Sequence, residues 1–483
     1  MKMQSATVAI IGRPNVGKST LFNALIGARK SIVSDIPHTT RDSVTGKAST
    51  ESFDFWLVDT AGLSDNNEKN ELEGEIQSQA RIAIKNADAI LFIIDGKSEL
   101  TSDDYDIAEQ MRKSKTPTLF IINKIDDGDE TRAADFMKLG LGMPAVISAK
   151  NFYGVWELEE LIEKMIQKGK FATRDQLVVK EEEEESDSIK IAFVGRPNVG
   201  KSSCVNACLE KNKVVVSGVA GTTRDAVDTE FVDKSGQKFI LIDTAGLRRP
   251  GKVEKDLEFW STVRTRRAIE RADICVVLID ALDGVTHRDL AVAGEVMEAG
   301  KGVIFGVNKF DLVREKARTE DETDEREVDE IKMWGEDVNK IRENYLHYLS
   351  TKIPFARWAP VLFFSAKTGK HIDEIFVSAA NVYKEIGKRI STAELNRLVP
   401  EITLGHVRPS VGTKLGKIKY ISQVDVAPPK FCFFVNNSAA FHFSYRRYIE
   451  NKIREKYGFF GTPINIQLKD SMDKFKGKLR NPK

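Results

Sequence analysis

Apolar, β-branched runs punctuate the chain in a repeating order. Ala6–Ile11 (ATVAII) and Ile189–Val194 (IKIAFV) are short, uninterrupted and followed by Gly-rich turns, the pattern of strands buried on both faces. A helix-compatible stretch follows each. Further runs come in matched pairs: Trp56–Asp59 (WLVD) with Leu241–Asp243 (LID), Ile90–Asp95 (ILFIID) with Ile274–Asp280 (ICVVLID), and Thr118–Ile122 with Val303–Val307. Strands alternating with helical stretches predict two α/β domains with doubly wound, mostly parallel sheets. After Lys388 the pattern changes. Thr392–Leu398 suits a helix, and Lys417–Val426 and Lys430–Val435 read as strands around the Pro428-Pro429 break. Ser444 can cap a helix whose apolar residues Tyr445, Tyr448, Ile449, Ile453 and Tyr457 share one face and which Gly458 closes. Thr462–Leu468 alternates as a last strand, so a small α+β domain is predicted here.

The paired runs reflect a repeat. GRPNVGKS occupies Gly12–Ser19 and recurs letter for letter at Gly195–Ser202. Gly12 and Gly195, like Thr40 and Thr223, are 183 positions apart, Asp59 and Asp243 are 184 apart, and Asn123 and Asn308 are 185 apart. So long a period with so little drift means two whole domains of similar size, not a solenoid. The predicted organisation is a first repeat domain at 1–170, an acidic linker at 171–188, a second repeat domain at 189–388 and a basic domain at 389–483. Glu181–Glu185 in the linker are like charges that repel one another and resist burial. The second repeat carries about 32 extra residues between Asn308 and Ser365, and Arg314–Arg326 among them has the charged composition of an exposed helix or disordered loop.

Composition narrows the function classes. The 483 residues carry 73 Lys plus Arg against 72 Asp plus Glu, so the molecule as a whole has no bias toward nucleic acid or membrane. Charge is unevenly placed, however. Leu395–Lys483 holds 11 Lys and 6 Arg against 3 Asp and 3 Glu, a net +11 that suits phosphates or nucleic acid, with part of it in the tail Lys474–Lys483. The four cysteines, Cys204, Cys208, Cys275 and Cys432, form no CxxC pair, which points to packing thiols in a reducing compartment. No apolar stretch approaches the roughly 18 residues of a membrane span, and the N-terminus lacks a signal-peptide pattern. A cytoplasmic, soluble monomer is expected.

The repeated boxes carry the chemistry. G-x-x-x-x-G-K-[ST] between a strand and a helix turns backbone N–H groups toward a phosphate. Lys18 and Lys201 would reach the β and γ phosphates, and the hydroxyls of Ser19 and Ser202 would ligate Mg2+. Asp59 and Asp243 open DTAG sequences beside that loop, where phosphate-bound Mg2+ needs a carboxylate. NKID (Asn123–Asp126) and NKFD (Asn308–Asp311) follow, then SAK at Ser148–Lys150 and Ser365–Lys367.

With these boxes in this order the chain resembles the P-loop GTPases of the translation-factor-like class. The resemblance implies that Asp126 and Asp311 accept hydrogen bonds from guanine N1–H and the exocyclic amine, whereas adenine would leave the carboxylate unpaired and desolvated. It implies a first nucleotide site of Gly12, Arg13, Pro14, Asn15, Val16, Gly17, Lys18, Ser19, Asp59, Thr60, Ala61, Gly62, Leu63, Asn123, Lys124, Ile125, Asp126, Ser148 and Ala149. The second comprises Gly195, Arg196, Pro197, Asn198, Val199, Gly200, Lys201, Ser202, Asp243, Thr244, Ala245, Gly246, Leu247, Asn308, Lys309, Phe310, Asp311, Ser365 and Ala366. Thr40 and Thr223, in TTRD sequences, are the expected switch threonines that close over the γ-phosphate. Lys18, Thr40 and Gly62, and likewise Lys201, Thr223 and Gly246, are the expected catalytic groups. Ser19, Thr40 and Asp59, and Ser202, Thr223 and Asp243, are the expected Mg2+ ligands. Where Ras-like enzymes place a water-orienting Gln, Leu63 and Leu247 cannot hydrogen-bond. In similar GTPases a phosphate-loop Asn helps hold a K+ ion that substitutes for an arginine finger, and Asn15 and Asn198 stand at that position.

Two such domains followed by a basic α+β module are similar to the Der family, also called EngA, the bacterial tandem GTPases of ribosome assembly. The similarity covers nearly the entire chain and includes VNNSAAFHFSYRRYIENKIREKYGFFGTPI, which resembles the family's KH-like domain. It implies GTP hydrolysis in late assembly and stability of the large (50S) ribosomal subunit. Nucleotide state would control domain packing, and the basic domain would contact rRNA. GFFG (Gly458–Gly461) formally matches the KH clamp GxxG, but Phe459 and Phe460 are not basic and a strand follows, so a structural turn is expected. RNA contact is placed instead at Lys414, Lys417, Lys419, Arg446 and Arg447. His38 stands where the family usually has Gly and would be strained at positive φ, while Gly221 keeps the usual residue. The rival readings are a GTP-regulated protein–protein switch and a membrane-associated one, the latter disfavoured by the lack of a basic amphipathic helix.

Overall fold

A computed structural model describes residues 5–27, 45–60, 80–126, 133–171, 173, 188–211, 228–233, 235–244, 256–313, 338–405, 409–411 and 414–470. Chain contacts gather the protein into two compact units, residues 1–185 with 252–267 and residues 186–251 with 268–483. The linker glutamates, the charged insert 314–326, His38, Gly221 and the basic tail lie outside the described residues.

The first unit is built on six strands: β1 Ala6–Ile11, β2 Thr45–Ser49, β3 Asp54–Asp59, β4 Ala89–Asp95, β5 Thr118–Asn123 and β6 Ala145–Val146. Their spatial order is β2-β3-β1-β4-β5-β6, with every neighbour parallel except the β2/β3 pair. Helices cover both faces of β1. Val8 and Ile10 join a core with Leu21 and Leu25 of the helix Lys18–Gly27 and Leu158 and Ile162 of the helix Val155–Lys168. Ala9 and Ile11 join another with Ile107 and Met111 of the helix Ser102–Lys113. Burial on both sides is why β1 reads as one apolar run, each buried aliphatic side chain contributing about 1.5–3 kcal/mol. The edge strand β2 (TGKAS) carries no such signal, and the sequence pattern does not predict it.

The second unit repeats this sheet with β7 Ser188–Val194, β8 Thr229–Val232, β9 Lys238–Leu241, β10 Ile274–Asp280, β11 Gly302–Asn308 and β12 Val361–Phe363. The order is β12-β11-β10-β7-β9-β8, and β8 is again an antiparallel edge. Cys204 and Cys208 pack under the sheet with Ile191 and Phe193, and Cys275 and Cys432 are buried too, in keeping with packing thiols. Burial pushes the Cys275 thiol up to about 12. One strand differs from expectation. The sequence pattern runs a strand through Leu241–Asp243 to end at the carboxylate, but β9 stops at Leu241. Asp243 adopts φ 59°, and its amide donates to Asp228 Oδ1 at 3.1 Å. An extended strand cannot run through a left-handed residue.

The C-terminal part of this unit contains a short hairpin, β13 Ser410–Val411 and β14 Lys414–Leu415, and a sheet of β15 Ile418–Val426, β16 Pro429–Val435 and β17 Asn465–Asp470. β15 pairs antiparallel with β16, and β16 parallel with β17. The helices Thr392–Leu404 and Phe443–Tyr457 supply Leu395, Leu398, Ile402, Tyr445, Ile449 and Ile453 to its core. Ser391 and Glu394 form a capping box at the start of the first helix, which continues through Pro400 where the sequence suggests an end at Leu398. The second helix starts two residues earlier than expected, so Ser444 lies inside it and His442 is the N-cap. Gly458 closes it as expected, at φ 87°.

GFFG is a structural turn. Phe459 is fully buried in the core, its amide donates to Glu385 Oε2 at 2.6 Å, and its carbonyl accepts from Arg454 at 2.7 Å. Gly461 donates to the Trp358 carbonyl (3.0 Å) and accepts from Val303 N (2.7 Å), while a Cβ at its φ of 70° would strike Val382. The Phe459 and Gly461 amides are thus committed to protein, which ties this domain to the second repeat.

Candidate nucleotide-binding sites

Each phosphate loop lies between the carboxyl end of a central strand and the helix it feeds. Asn15 and Asn198 take φ of 65° and 63°, and Gly17 and Gly200 take 98° and 101°. A Cβ on either glycine would run into the side-chain amide of Asn123 or Asn308, so only glycine lets loop and NKxD segment approach. Lys18 Nζ donates to the carbonyls of Gly12 (2.6 Å) and Arg13 (2.8 Å), and Lys201 Nζ to those of Gly195 (2.7 Å) and Arg196 (2.8 Å). Burial lowers both ammonium groups to about 8, opposed by Asp59 at Lys18 and by Asp289 at Lys201. Both lysines are thus held on neutral acceptors at the place where anionic phosphate oxygens would come.

Asn123 and Asn308 join the loops. Each donates its side-chain amide to the phosphate loop, Val16 O or Val199 O, at 2.9 Å, and each accepts from the SAK backbone, Ala149 N or Ala366 N, at 2.9 Å. Lys124 reaches Asn15 O (2.6 Å) and Asp95 Oδ2 (2.7 Å), and Lys309 reaches Asp280 Oδ2 (2.6 Å). Asp126 accepts from Ser148 Oγ (2.7 Å), Asn151 Nδ2 (3.1 Å) and Lys97 Nζ (2.5 Å), and the Lys97 and Ser148 bonds hold its carboxyl below the usual range. Asp311 Oδ1 is buried and has no hydrogen-bond partner among the described residues.

Where Mg2+ is expected, Ser19 Oγ donates to Asp59 Oδ2 at 2.6 Å, so a hydroxyl and a carboxylate converge beside the loop, a donor set that would fit Mg2+ with phosphate oxygens to complete it. Asp243 sits differently, beyond the end of β9, with its amide on Asp228, which is itself paired with Arg271. Thr60 and Thr244 are buried, Thr60 donating to Ile10 O at 2.8 Å. Thr40 and Thr223, the expected switch threonines, together with Ala61, Gly62, Leu63, Ala245, Gly246 and Leu247, lie outside the described residues.

Several residues that position these sites escape the sequence reading. Asp95 and Asp280 end β4 and β10 and anchor the NKxD lysines, and their recurrence at matched strand ends was the available signal. Arg13 and Arg196 pair with the buried carboxylates of Asp104 (3.4 Å) and Asp289 (3.9 Å), each the acidic member of a capping box begun by Thr101 or Thr286.

Two phosphate loops, each braced by an Asn-Lys-x-Asp segment on its own doubly wound sheet, define a tandem P-loop GTPase. The chain matches the family described as 50S ribosome-binding GTPase at residues 7–124 and again at 190–309, and the C-terminal KH-domain-like family of EngA bacterial GTPase enzymes at 389–469. It is 43% identical to the GTPase Der of Caldanaerobacter subterraneus over 470 residues, 97% of this chain and 99% of that protein, and 40% identical over the same shares to the GTPase Der of Clostridium kluyveri. A solved structure of the FeoB G-domain from Methanococcus jannaschii is 26% identical, covering 35% of this chain and 99% of that one, with a TM-score of 0.25. The protein belongs to the GTPase Der family and is a GTPase. No helix among the described residues is long and apolar enough to cross a membrane.

Proposed function

We propose that the protein hydrolyses GTP at two sites to control its binding to the large ribosomal subunit or its precursors, in late assembly and stability of that subunit. It acts as a cytoplasmic monomer through a basic C-terminal domain that contacts rRNA. Residues 1–170 and 189–388 are the GTPase domains, 171–188 the acidic linker and 389–483 the rRNA-binding domain. The observation that carries this reading is the matched framework of the two sites, in which Asn123 and Asn308 make the same pair of 2.9 Å bonds. Lys417, Lys419, Arg446 and Arg447 are exposed, and Arg447 also lies over the exposed Phe443 ring.

In each site water attacks the γ-phosphorus, the bond to the β–γ bridging oxygen breaks with its electron pair leaving on GDP, and the water's proton ends on the released phosphate. Lys18 or Lys201, released from its loop carbonyls, neutralises charge on the β and γ oxygens. Ser19, Thr40 and Asp59, or Ser202, Thr223 and Asp243, would hold Mg2+, which would supply further neutralisation there. Leu63 and Leu247 leave no polar side chain to orient water. The exposed side chains of Asn15 and Asn198 offer an oxygen ligand for K+ at the adjoining position. Bound nucleotide can bias domain packing only by its differential affinity for the alternative arrangements.

Sucrose-gradient sedimentation with ribosomal particles tests the reading. The intact protein should co-sediment with large-subunit precursors more strongly with a GTP analogue than with GDP. Association should fall with added salt as phosphate contacts release counterions, and Lys417→Glu with Lys419→Glu should weaken it. Salt-independent binding indifferent to those substitutions would make the C-terminal domain a protein–protein module instead.

A further inference from the structure

Among the positions at which the two base pockets differ, one sits on a turn of matched backbone bonding. Gly96 N donates to Asn123 O (2.8 Å) and Lys97 N to Asp95 Oδ1 (2.9 Å). In the second repeat Ala281 N donates to Asn308 O (2.9 Å) and Leu282 N to Asp280 Oδ1 (3.0 Å). The same turn therefore presents Lys97 to the first pocket where the second presents Leu282. Lys97 Nζ lies 2.5 Å from Asp126 Oδ2 while Ser148 and Asn151 take Oδ1, so both carboxylate oxygens are engaged. Asp311 Oδ1 has no such partner among the described residues, and the next residue, Asp283, turns to Arg196 at 2.5 Å.

We propose that Lys97 is a specificity-setting residue of the first site, one that competes with guanine for Asp126 and makes the first site weaker in base recognition than the second. The inference rests on the assignment of Asp126 and Asp311 as the base-reading carboxylates. Guanine offers two parallel donors, N1–H and the 2-amino group, and bidentate pairing brings one to each carboxylate oxygen. In the first site Lys97 already holds an acceptor position on Oδ2, for which the guanine donor must compete. In the second, Leu282 has no donor with which to compete. The exchanged pair is exposed, with 53% of the Lys97 side chain and 40% of the Asp126 side chain accessible, so the competition is worth what surface ion pairs are worth and tunes affinity without abolishing it.

The test uses the full chain with Asp311→Asn, so that guanine is read at the first site only, and fluorescent GDP as the probe. Lys97→Leu should lower Kd by about two- to fivefold, and Lys97→Arg, which keeps the competing charge, should stay near the parent. The reciprocal Leu282→Lys, in an Asp126→Asn chain, should raise Kd at the second site. An unchanged Kd on Lys97→Leu overturns the proposal, and a raised one overturns it by making Lys97 a ligand of the nucleotide. In a chain carrying Asp126→Asn and Asp311→Ala, probed with fluorescent XDP, Lys97→Leu should have no effect, because the neutral amide that replaces the Asp126 carboxylate no longer attracts the ammonium. An effect there means that Lys97 acts other than through Asp126 and overturns the proposal. If Asp126→Asn leaves first-site GDP binding intact, the pocket assignment itself fails, independently of Lys97.

Discussion

The side-chain amide of Asn123 donates to the Val16 carbonyl at 2.9 Å, a bond that spans 107 positions of sequence and joins the Asn-Lys-x-Asp segment to the phosphate loop. The same asparagine accepts from Ala149 N, so one side chain sets the spacing of three loops. Asn308 does this for Val199 and Ala366. Replacing either by Ala leaves a buried carbonyl and a buried amide unpaired, at about 1–3 kcal/mol each. GTP affinity should drop at least about thirtyfold at the altered site and change little at the other, as read by fluorescent-nucleotide titration.

If Asp126 and Asp311 read the base as proposed, specificity should switch one site at a time. Asp126→Asn or Asp311→Asn should weaken GTP binding only where it is made and favour xanthosine nucleotides there. Loss of all GTP binding from one substitution would contradict two separate sites. Isothermal titration with GDP and XDP gives the stoichiometry directly.

Burial disfavours the charged form of Lys18 and Lys201 and lowers both ammonium groups to about 8. A triphosphate favours the charged form, so its binding raises these values. Below pH 8 the charge is already present. Above it, binding must take up a proton, and affinity should decline between pH 8 and 9 toward tenfold per unit. Calorimetry in buffers of different ionisation enthalpy should register proton uptake that grows over the same interval.

Leu63 and Leu247 have no side-chain donor or acceptor with which to orient water, and Asn15 and Asn198 are the K+ ligands we propose. Hydrolysis should therefore be faster in KCl than in NaCl at matched ionic strength, and Asn198→Ala should remove the difference at the second site. Phosphate release in an Asp126→Asn background isolates that site. Equal rates in the two salts would discard the K+ assignment.

Arg454 stacks on Trp358 at 4.3 Å, pairs with Glu450 at 2.8 Å and donates to the carbonyls of Phe459 and Thr462. Arg454→Ala strands two carbonyls and a carboxylate where the GFFG turn meets the second repeat. Thermal unfolding of the intact chain should show a loss of several degrees, for a change of about 2–4 kcal/mol. Arg454→Lys should recover only part of it, since one ammonium cannot replace the planar fork.

Much of this protein was legible in its sequence because its chemistry is local. The phosphate loop is eight consecutive residues whose backbone makes the anion site, and central strands such as β1 and β10 are buried on both faces, so their apolar runs announce them. Even the structural role of the GFFG turn could be anticipated from the lack of charge at Phe459 and Phe460 and the strand that follows. What the sequence could not supply were relations that depend on where distant segments meet. β2 is a polar edge whose partner is chosen by β3, and Asp243 leaves its strand because Asp228 takes its amide. Asp95 becomes the anchor of Lys124, and Asp104 that of Arg13, only once parallel strands and the helices after them converge at one end of the sheet. The inequality of the two base pockets is of the same kind. Lys97 and Leu282 are single letters in surface turns, and their meaning comes from the turn that aims one of them at a carboxylate 29 positions away.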